Sequence, residues 1–313
     1  TPNDLKNLTK IQLSVLNTCS ALIPFCYLNP IYNIESIIPH LLFTGGTLFI
    51  SMASQAMNQF QEKEYDKMMN RTKNRPLAKN RYSDETIKKL IKILLVLSSA
   101  FYLPMSHFGY FPIHTIGLSY LIVFLYNAVY TKLKRHSNLS MHVGALVGAL
   151  VPFLGSIATT GSLYDPISFI FGLFIYAWQY PHFYGIVYNH KDCYKNAGFE
   201  FISKYEDKIN IARYQILIAL IVMLMCGLKL YSIDETKFSK HIFALLYVIS
   251  MINLHKHYKN FLTFPKKLQS NSYYPWLVMA LWILLLNSFE KIFSNVVDEN
   301  KKKILGSPEK KSD

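Results

Sequence analysis

Apolar residues run through this chain in long blocks, and the polar residues collect between them. The stretches 37–56, 113–130, 167–187, 209–230 and 275–289 are nearly free of charge. As helices rising ~1.5 Å per residue, such blocks cover most of a ~30 Å hydrocarbon core. A wide hydropathy reading predicts helices near 11–29, 36–62, 87–106, 112–130, 142–160, 166–189, 209–231, 239–257 and 274–295. The least continuous are 87–106, interrupted by Pro104, and 239–257, which ends in His255 and His257. The expected fold class is therefore all-α: a polytopic membrane protein with nine transmembrane helices. One intramembrane domain is expected over 1–300, followed by a polar Lys-rich tail over 301–313 that is expected to be disordered.

The charges between the blocks alternate. After the second, fourth, sixth and eighth helices come Arg71, Lys73, Arg75, Lys79 and Arg81; Lys132, Lys134 and Arg135; Lys191, Lys195, Lys204 and Lys208; and Lys259, Lys266 and Lys267. The connections around Asn33, Phe108 and Tyr164 carry no Lys or Arg, and the one around Glu235 carries only Lys237. By the positive-inside rule the basic loops and the N-terminus face the cytoplasm, or the matrix of a mitochondrion. An odd helix count sends the Lys301–Lys303 tail to the opposite side, which a polar tail well past the last span tolerates.

Composition narrows the chemistry. The formal charge is +14, but it is spread among loops and gathers into no basic patch, so no nucleic-acid partner is expected. No nucleotide-binding glycine motif is present. The four cysteines, Cys19, Cys26, Cys193 and Cys226, lack CxxC spacing, and three lie in predicted spans. They support neither a disulfide framework nor a zinc site. A start of Thr-Pro-Asn-Asp leaves any targeting segment unreadable.

One stretch breaks the pattern. In "MNQFQEKEYDKMMNRTKNRPL", Met57 to Leu77, an apolar helix ends in carboxylates followed by guanidiniums. Residues four apart drift only about 40° around a helix, so Asn58, Glu62 and Asp66 form one polar stripe. Two carboxylates and an amide oxygen suit Mg2+, which prefers oxygen ligands and takes others from substrate phosphates. Arg71, Lys73 and Arg75 follow, placed to take the outer oxygens of the same anion. A solvated helix end explains Glu64, Lys67, Lys79 and Arg81 equally well. It does not explain Asn58 and Glu62, because polar groups this close to hydrocarbon are costly and tend to face a cavity.

A second cluster, "YAWQYPHFYGIVYNHKDCYKNAGF", places Trp178, Gln179 and His182 in the sixth span and Lys191, Asp192, Tyr194 and Lys195 at its basic end. Both acidic ends thus open on one side of the membrane. The segment "YNAVYTKLKRHSN", with Lys132 and Lys134, closes the fourth span on that side.

"NQFQEKEYDKMMNRTKNRPL", "YTKLKRHSNLSMHVGALVGALVPFLG" and "WQYPHF" together resemble signatures of the protoheme IX farnesyltransferase (haem O synthase) family, mitochondrial type, within the UbiA-type intramembrane prenyltransferases. The resemblance is dense from about Leu8 to Phe201. It implies a nine-helix bundle around a central cavity, in which farnesyl diphosphate ionises and its farnesyl group is added, with water, to a vinyl group of haem b, giving haem o for cytochrome oxidase biogenesis. It implies a mitochondrial inner membrane location with the active site on the matrix side, and haem a synthase or other cytochrome oxidase assembly factors as partners. Asn58, Glu62 and Asp66 fall on the family's first metal-diphosphate motif. Arg71, Thr72, Arg75 and Pro76 fall on its RTxxRP element. By the resemblance Lys132 and Lys134 occupy the family's basic turn after the fourth span, and Trp178, Gln179 and His182 match its aromatic-histidine element; Lys73, Lys132, Lys134 and Lys191 are expected among the diphosphate contacts, Asp192 at the metal, and Trp178, Gln179 and His182 at the haem. For His182, ligation of the iron, a bond to a propionate, proton transfer and a plain core histidine all remain open. Two positions depart from the family pattern: Cys193 stands where a second acid is usual, and Gln12 where an Arg is usual.

Two other readings remain. A prenyltransferase acting on an aromatic quinone precursor would share the metal motif but lack the pairing of RTKNRP with WQYPHF. A multi-pass transporter or scaffold would need no coincidence of Asn58, Glu62 and Asp66.

Overall fold

A computed structural model describes residues 1–31, 34–137, 139–197, 209–234, 239–258 and 265–286, the side chains of Lys195 and Ser239 excepted. The C-terminal end of the ninth expected helix, the Lys-rich tail, and the loop residues Asn33, Lys204, Lys208, Glu235, Lys237 and Lys259 lie outside these. Among the described residues all regular structure is helical: α1 Pro2–Leu8, α2 Ile11–Leu28, α3 Ile37–Met68, α4 Asp84–Tyr102, α5 Pro112–Phe124, α6 Thr131–Leu133, α7 Leu139–Leu150, α8 Phe153–Thr160, α9 Pro166–Asn189, α10 Lys191–Asn196, α11 Ile209–Ile233, α12 Ser239–Tyr258, α13 Pro265–Asn271 and α14 Tyr273–Leu286. Among the described residues six helical stretches are long and apolar enough to cross a membrane: Ile11–Leu28, Ile37–Met68, Asp84–Phe108, Pro112–Leu133, Leu139–Thr160 and Ile209–Ile233. Helix α9 is long but carries Gln179, His182 and several tyrosines, which lower its hydropathy, and only 14 residues of α14 are described.

The expected helices acquire breaks that hydropathy does not show. Past Tyr102 the chain tightens into a 3-10 turn, Leu103–Phe108, where Pro104 removes a backbone donor. The fourth expected helix contains a π-turn at Leu125–Tyr130, where the Thr131 hydroxyl donates to the Tyr126 carbonyl at 2.9 Å. The fifth divides into α7 and α8 at Val151 and Pro152. Helix α3 runs to Met68, beyond the expected end at residue 62, and so carries Asp66 in helical register with Glu62. Helix α9 begins where Asp165 accepts the Ser168 amide at 2.6 Å, with Pro166 in the first turn, an ordinary capped start.

Close packing fixes α3 against α4. A Cβ on Gly46 would sit within 2.6 Å of the Tyr102 ring, so only glycine admits that ring; the Ser98 hydroxyl donates to the Gly46 carbonyl at 2.7 Å, and Thr47 meets the Tyr102 hydroxyl at 2.9 Å. Gly155 on α8 plays the same part against the α2 backbone at Ala21 and Phe25. Small residues at helix contacts and hydroxyl bonds between helices are the usual adhesives where lipid removes the hydrophobic drive. The largest apolar core centres on α9 and α11, with Phe171, Phe174, Tyr184, Ile216 and Met223 buried. A second joins Phe25, Phe43 and Tyr102. Helix α14 packs on α2, bringing the last described helix to the first long one. Leu121, Phe124, Ile218, Met225 and Leu228 project outward, as lipid-facing positions require.

Candidate active site

The stripe anticipated on α3 forms, and it faces inward. Asn58, Glu62 and Asp66 are all buried, and each accepts from a cation carried by a different part of the chain. Lys10 Nζ donates to Asn58 Oδ1 at 2.7 Å. Lys134 Nζ donates to Glu62 Oε1 at 3.2 Å. One guanidinium nitrogen of Arg75 straddles both Asp66 oxygens at 2.8 and 2.9 Å. These residues line a pocket of about 200 Å³ together with Arg71, Tyr65, Tyr126, Ile186 and Tyr194. Thr72, whose hydroxyl donates to the Asp66 carbonyl at 3.1 Å, ties down the helix end from which the basic turn departs.

Lys10 was not among the sequence candidates. It stands one residue before the first apolar block on the basic side, and that position was the only sign of it. Its place depends on a distant contact: Gln59 on α3 donates to the Leu8 carbonyl at 2.9 Å, clamping the α1–α2 corner beside the stripe. Its backbone adopts φ 42°, the left-handed region that a lysine seldom occupies. Strain of this kind gathers at functional sites.

The electrostatics divide the two lysines. Burial works against the charge on Lys134, but Glu62 and the nearby phenols of Tyr130, Tyr194 and Tyr126 more than offset it and hold its pKa above the ordinary lysine range. Lys10 faces an amide instead. Burial, then the Arg75 charge, bring it down to about 7 against the pull of Glu62.

Beside this pocket lies an apolar cavity of about 280 Å³ that shares Leu13, Tyr126 and Ile186 with it. That volume is near the lower end of the roughly 300–1,000 Å³ usual for small-molecule sites. The π-turn places Tyr126 and Tyr130, stacked at 5.3 Å between ring centroids, in the cavity wall where the two spaces meet. Asn17, Ser51, Gln55, Gln179 and His182 give the wall a few polar points, Asn17 donating to the Ser51 hydroxyl at 3.1 Å. Gln179 and His182 thus reach the cavity, whereas Trp178 does not line it. Trp178 is buried, donates from Nε1 to the Ser272 carbonyl at 2.6 Å and stacks on His182 at 4.7 Å, so it fixes that ring. His182 also meets the Ser272 hydroxyl at 3.3 Å.

The remaining candidates lie apart. Lys73 points to Asn70 at 3.1 Å, and Lys132 is exposed. Lys191 and Asp192 are exposed on α10, which contributes Tyr194 to the pocket. Among the described residues no three His, Cys, Asp or Glu side chains gather as a metal cluster, so Asp192 does not converge with Glu62 and Asp66. Glu64 and Lys67 pair with each other at the surface, as a solvated helix end would. All four cysteines are free. The oxygen-only donor set of Asn58, Glu62 and Asp66 fits a hard divalent cation that completes its shell with phosphate oxygens.

Fold and site define a helical, membrane-type bundle whose buried acidic stripe and basic turn form a polar pocket at the mouth of an apolar cavity. A model of the UbiA prenyltransferase family matches residues 31–286, and the chain belongs to that family. A mitochondrial protoheme IX farnesyltransferase of Debaryomyces hansenii is 34% identical over 233 residues, covering 74% of this chain and 48% of the relative. Its Homo sapiens counterpart is 34% identical over 198 residues, covering 63% of this chain and 43% of the relative. The chain spans about half the length of these two curated relatives. A UbiA homologue from Aeropyrum pernix K1, solved in the apo state, shares the fold at a TM-score of 0.66 and 13% identity, over 88% of this chain and 97% of that one. A UbiA homologue from Archaeoglobus fulgidus, solved bound to GPP and Mg2+, does so at 0.60 and 14%, over 91% and 99%.

Proposed function

We propose that the chain transfers the farnesyl group of farnesyl diphosphate to a vinyl group of haem b, yielding haem o. The observation that carries this reading is the junction of the two spaces at Tyr126: anion chemistry on one side, room for a hydrocarbon chain on the other. The named relatives, protoheme IX farnesyltransferases of yeast and human, supply the acceptor. The reading includes nine membrane spans, a mitochondrial inner membrane setting with the basic loops and pocket on the matrix side, Mg2+ as the ion, and oxidase assembly factors as neighbours.

Asn58, Glu62 and Asp66 would hold the ion, which when bound neutralises charge developing on the departing diphosphate. Arg71, Arg75, Lys134 and Lys10 bind the outer phosphate oxygens and orient the ester oxygen toward the stripe. Lys73, Lys132 and Lys191 line the approach, and Asp192 on α10 joins from the outer side as substrate fills the pocket. The bond from farnesyl C1 to the diphosphate oxygen breaks, and C1 bonds to the terminal vinyl carbon. Water adds to the other vinyl carbon and loses a proton, so haem o and pyrophosphate leave. Apolar walls exclude bulk water from the allylic cation. Gln179 and His182, with Trp178 steadying the latter, meet the haem and hold the one water the reaction needs.

Purified protein in lipid nanodiscs, given farnesyl diphosphate, haem b and Mg2+, should form haem o, measured by chromatography and mass. Consumption of the diphosphate with a hydroxybenzoate but not with haem b would overturn the assignment.

A further inference from the structure

Each side chain of the stripe is already engaged by a cation, and the three cations come from three separate places: the α1–α2 corner, the basic turn after α3, and the segment after the π-turn. Lys10 occupies Asn58, Lys134 occupies Glu62, and Arg75 occupies Asp66. Lys134, Arg75 and Arg71 alone outnumber the two carboxylates of this pocket, with Lys10 beside them. A divalent ion arriving alone would meet surplus positive charge and would have to compete with a cation at every side chain it needs. A diphosphate changes that balance, because its oxygens are the acceptors those cations require.

Geometry makes such an exchange short. Asn58 Nδ2 is fixed on the Thr131 hydroxyl at 3.1 Å, which keeps Oδ1 turned to Lys10. Lys10 and Lys134 hang on flexible stems, and all three cations line one pocket of about 200 Å³. The strained backbone at Lys10, held by Gln59, aims its side chain at the stripe rather than at water.

We propose that Lys10, Lys134 and Arg75 are exchange cations: each closes one metal-binding side chain in the empty pocket and moves to a phosphate oxygen when diphosphate arrives, so that divalent ion and diphosphate enter only together. The inference rests on the metal-diphosphate reading of the pocket given above. It also describes product release. As pyrophosphate departs, the cations fall back on their donors and expel the ion with it.

The test is metal binding to the purified full chain, read by electron paramagnetic resonance of Mn2+. Mn2+ is titrated alone and with saturating farnesyl thiodiphosphate, a slowly ionising analogue, with correction for Mn2+ held by the analogue in solution. Wild type should bind Mn2+ about tenfold or more tightly with the analogue, a typical coupling between linked sites. Lys10→Met should bind Mn2+ alone about fivefold more tightly than wild type while losing affinity for the analogue, so the coupling shrinks. Lys134→Met carries the same comparison if Lys10→Met does not fold, and the wild-type titrations need no variant. Equal Mn2+ affinity in wild type with and without the analogue, or a lysine variant that binds Mn2+ alone no better than wild type, overturns the exchange and leaves the site reading standing. Failure of wild type to retain Mn2+ in either titration overturns the site reading itself.

Discussion

Replacing Glu62 by Gln keeps the shape of the side chain and removes one negative charge from a pair whose members are 9% and 16% exposed. Lys134 then keeps an acceptor but loses its counter-charge, and the Tyr194 ring, 5.9 Å away, is a weak replacement. Breaking a buried ion pair by removing one partner costs about 3–5 kcal/mol, and the retained amide oxygen returns part of that, so a loss of about 2–3 kcal/mol is expected. Turnover should fall about 10²–10³-fold, the scale of removing one group that stabilises developing charge. The double variant Glu62→Gln, Lys134→Met removes both charges together. It should recover most of the stability and none of the activity, because the anionic donor and a phosphate cation are both gone. Thermal unfolding in detergent and haem o formation in nanodiscs, measured on the same preparations, separate the two effects. Retention by Glu62→Gln of more than about a tenth of wild-type turnover would refute its role at the stripe, and a double variant less stable than the single would refute the pairing.

Three further outcomes are expected. Arg75→Lys should weaken binding of farnesyl thiodiphosphate about tenfold in isothermal titration, since an ammonium cannot present two parallel donors to a phosphate as a planar guanidinium can; unchanged affinity would make Arg75 a brace for the helix end. Asp192→Asn should lower haem o formation about tenfold or more if α10 closes on the substrate, and a fully active variant would confine the acidic machinery to α3. Gly144→Leu should crowd Tyr130, which a Cβ at that position already approaches within 2.8 Å, and so raise KM for farnesyl diphosphate while leaving pyrophosphate inhibition unchanged. A parallel rise in the pyrophosphate inhibition constant would show that the two spaces are not separate.

What the sequence made legible was whatever repeats locally. The stripe of Asn58, Glu62 and Asp66 follows from helical spacing within one element, and the structure keeps it on one buried face. The hydropathy reading matches both ends of helix α9, where Asp165 and Pro166 also supply a local start. Lys10 was missed because its role depends on Gln59 reaching across more than fifty residues to the α1–α2 corner. The breaks at Val151 and at the π-turn escaped hydropathy because both halves are equally apolar, and a change of helical register leaves composition untouched. Trp178 was grouped with His182 by its place in WQYPHF, yet neighbours on one helix point different ways: Gln179 and His182 reach the cavity, and Trp178 turns to Ser272.

The π-turn at Leu125–Tyr130 works as a phase shifter. By packing one extra residue into a single turn, it rotates everything after it relative to the helix before it, and Lys134 lies on the far side of that shift. The same residues wound as an uninterrupted α-helix would have the same number, hydropathy and loop charge. They would swing Lys134 about 100° around the axis, off Glu62 and away from the pocket. A chain that lost only this turn would pass every compositional test for this fold and still have a dismantled anion site, so relatives in this region are best compared turn by turn rather than residue by residue.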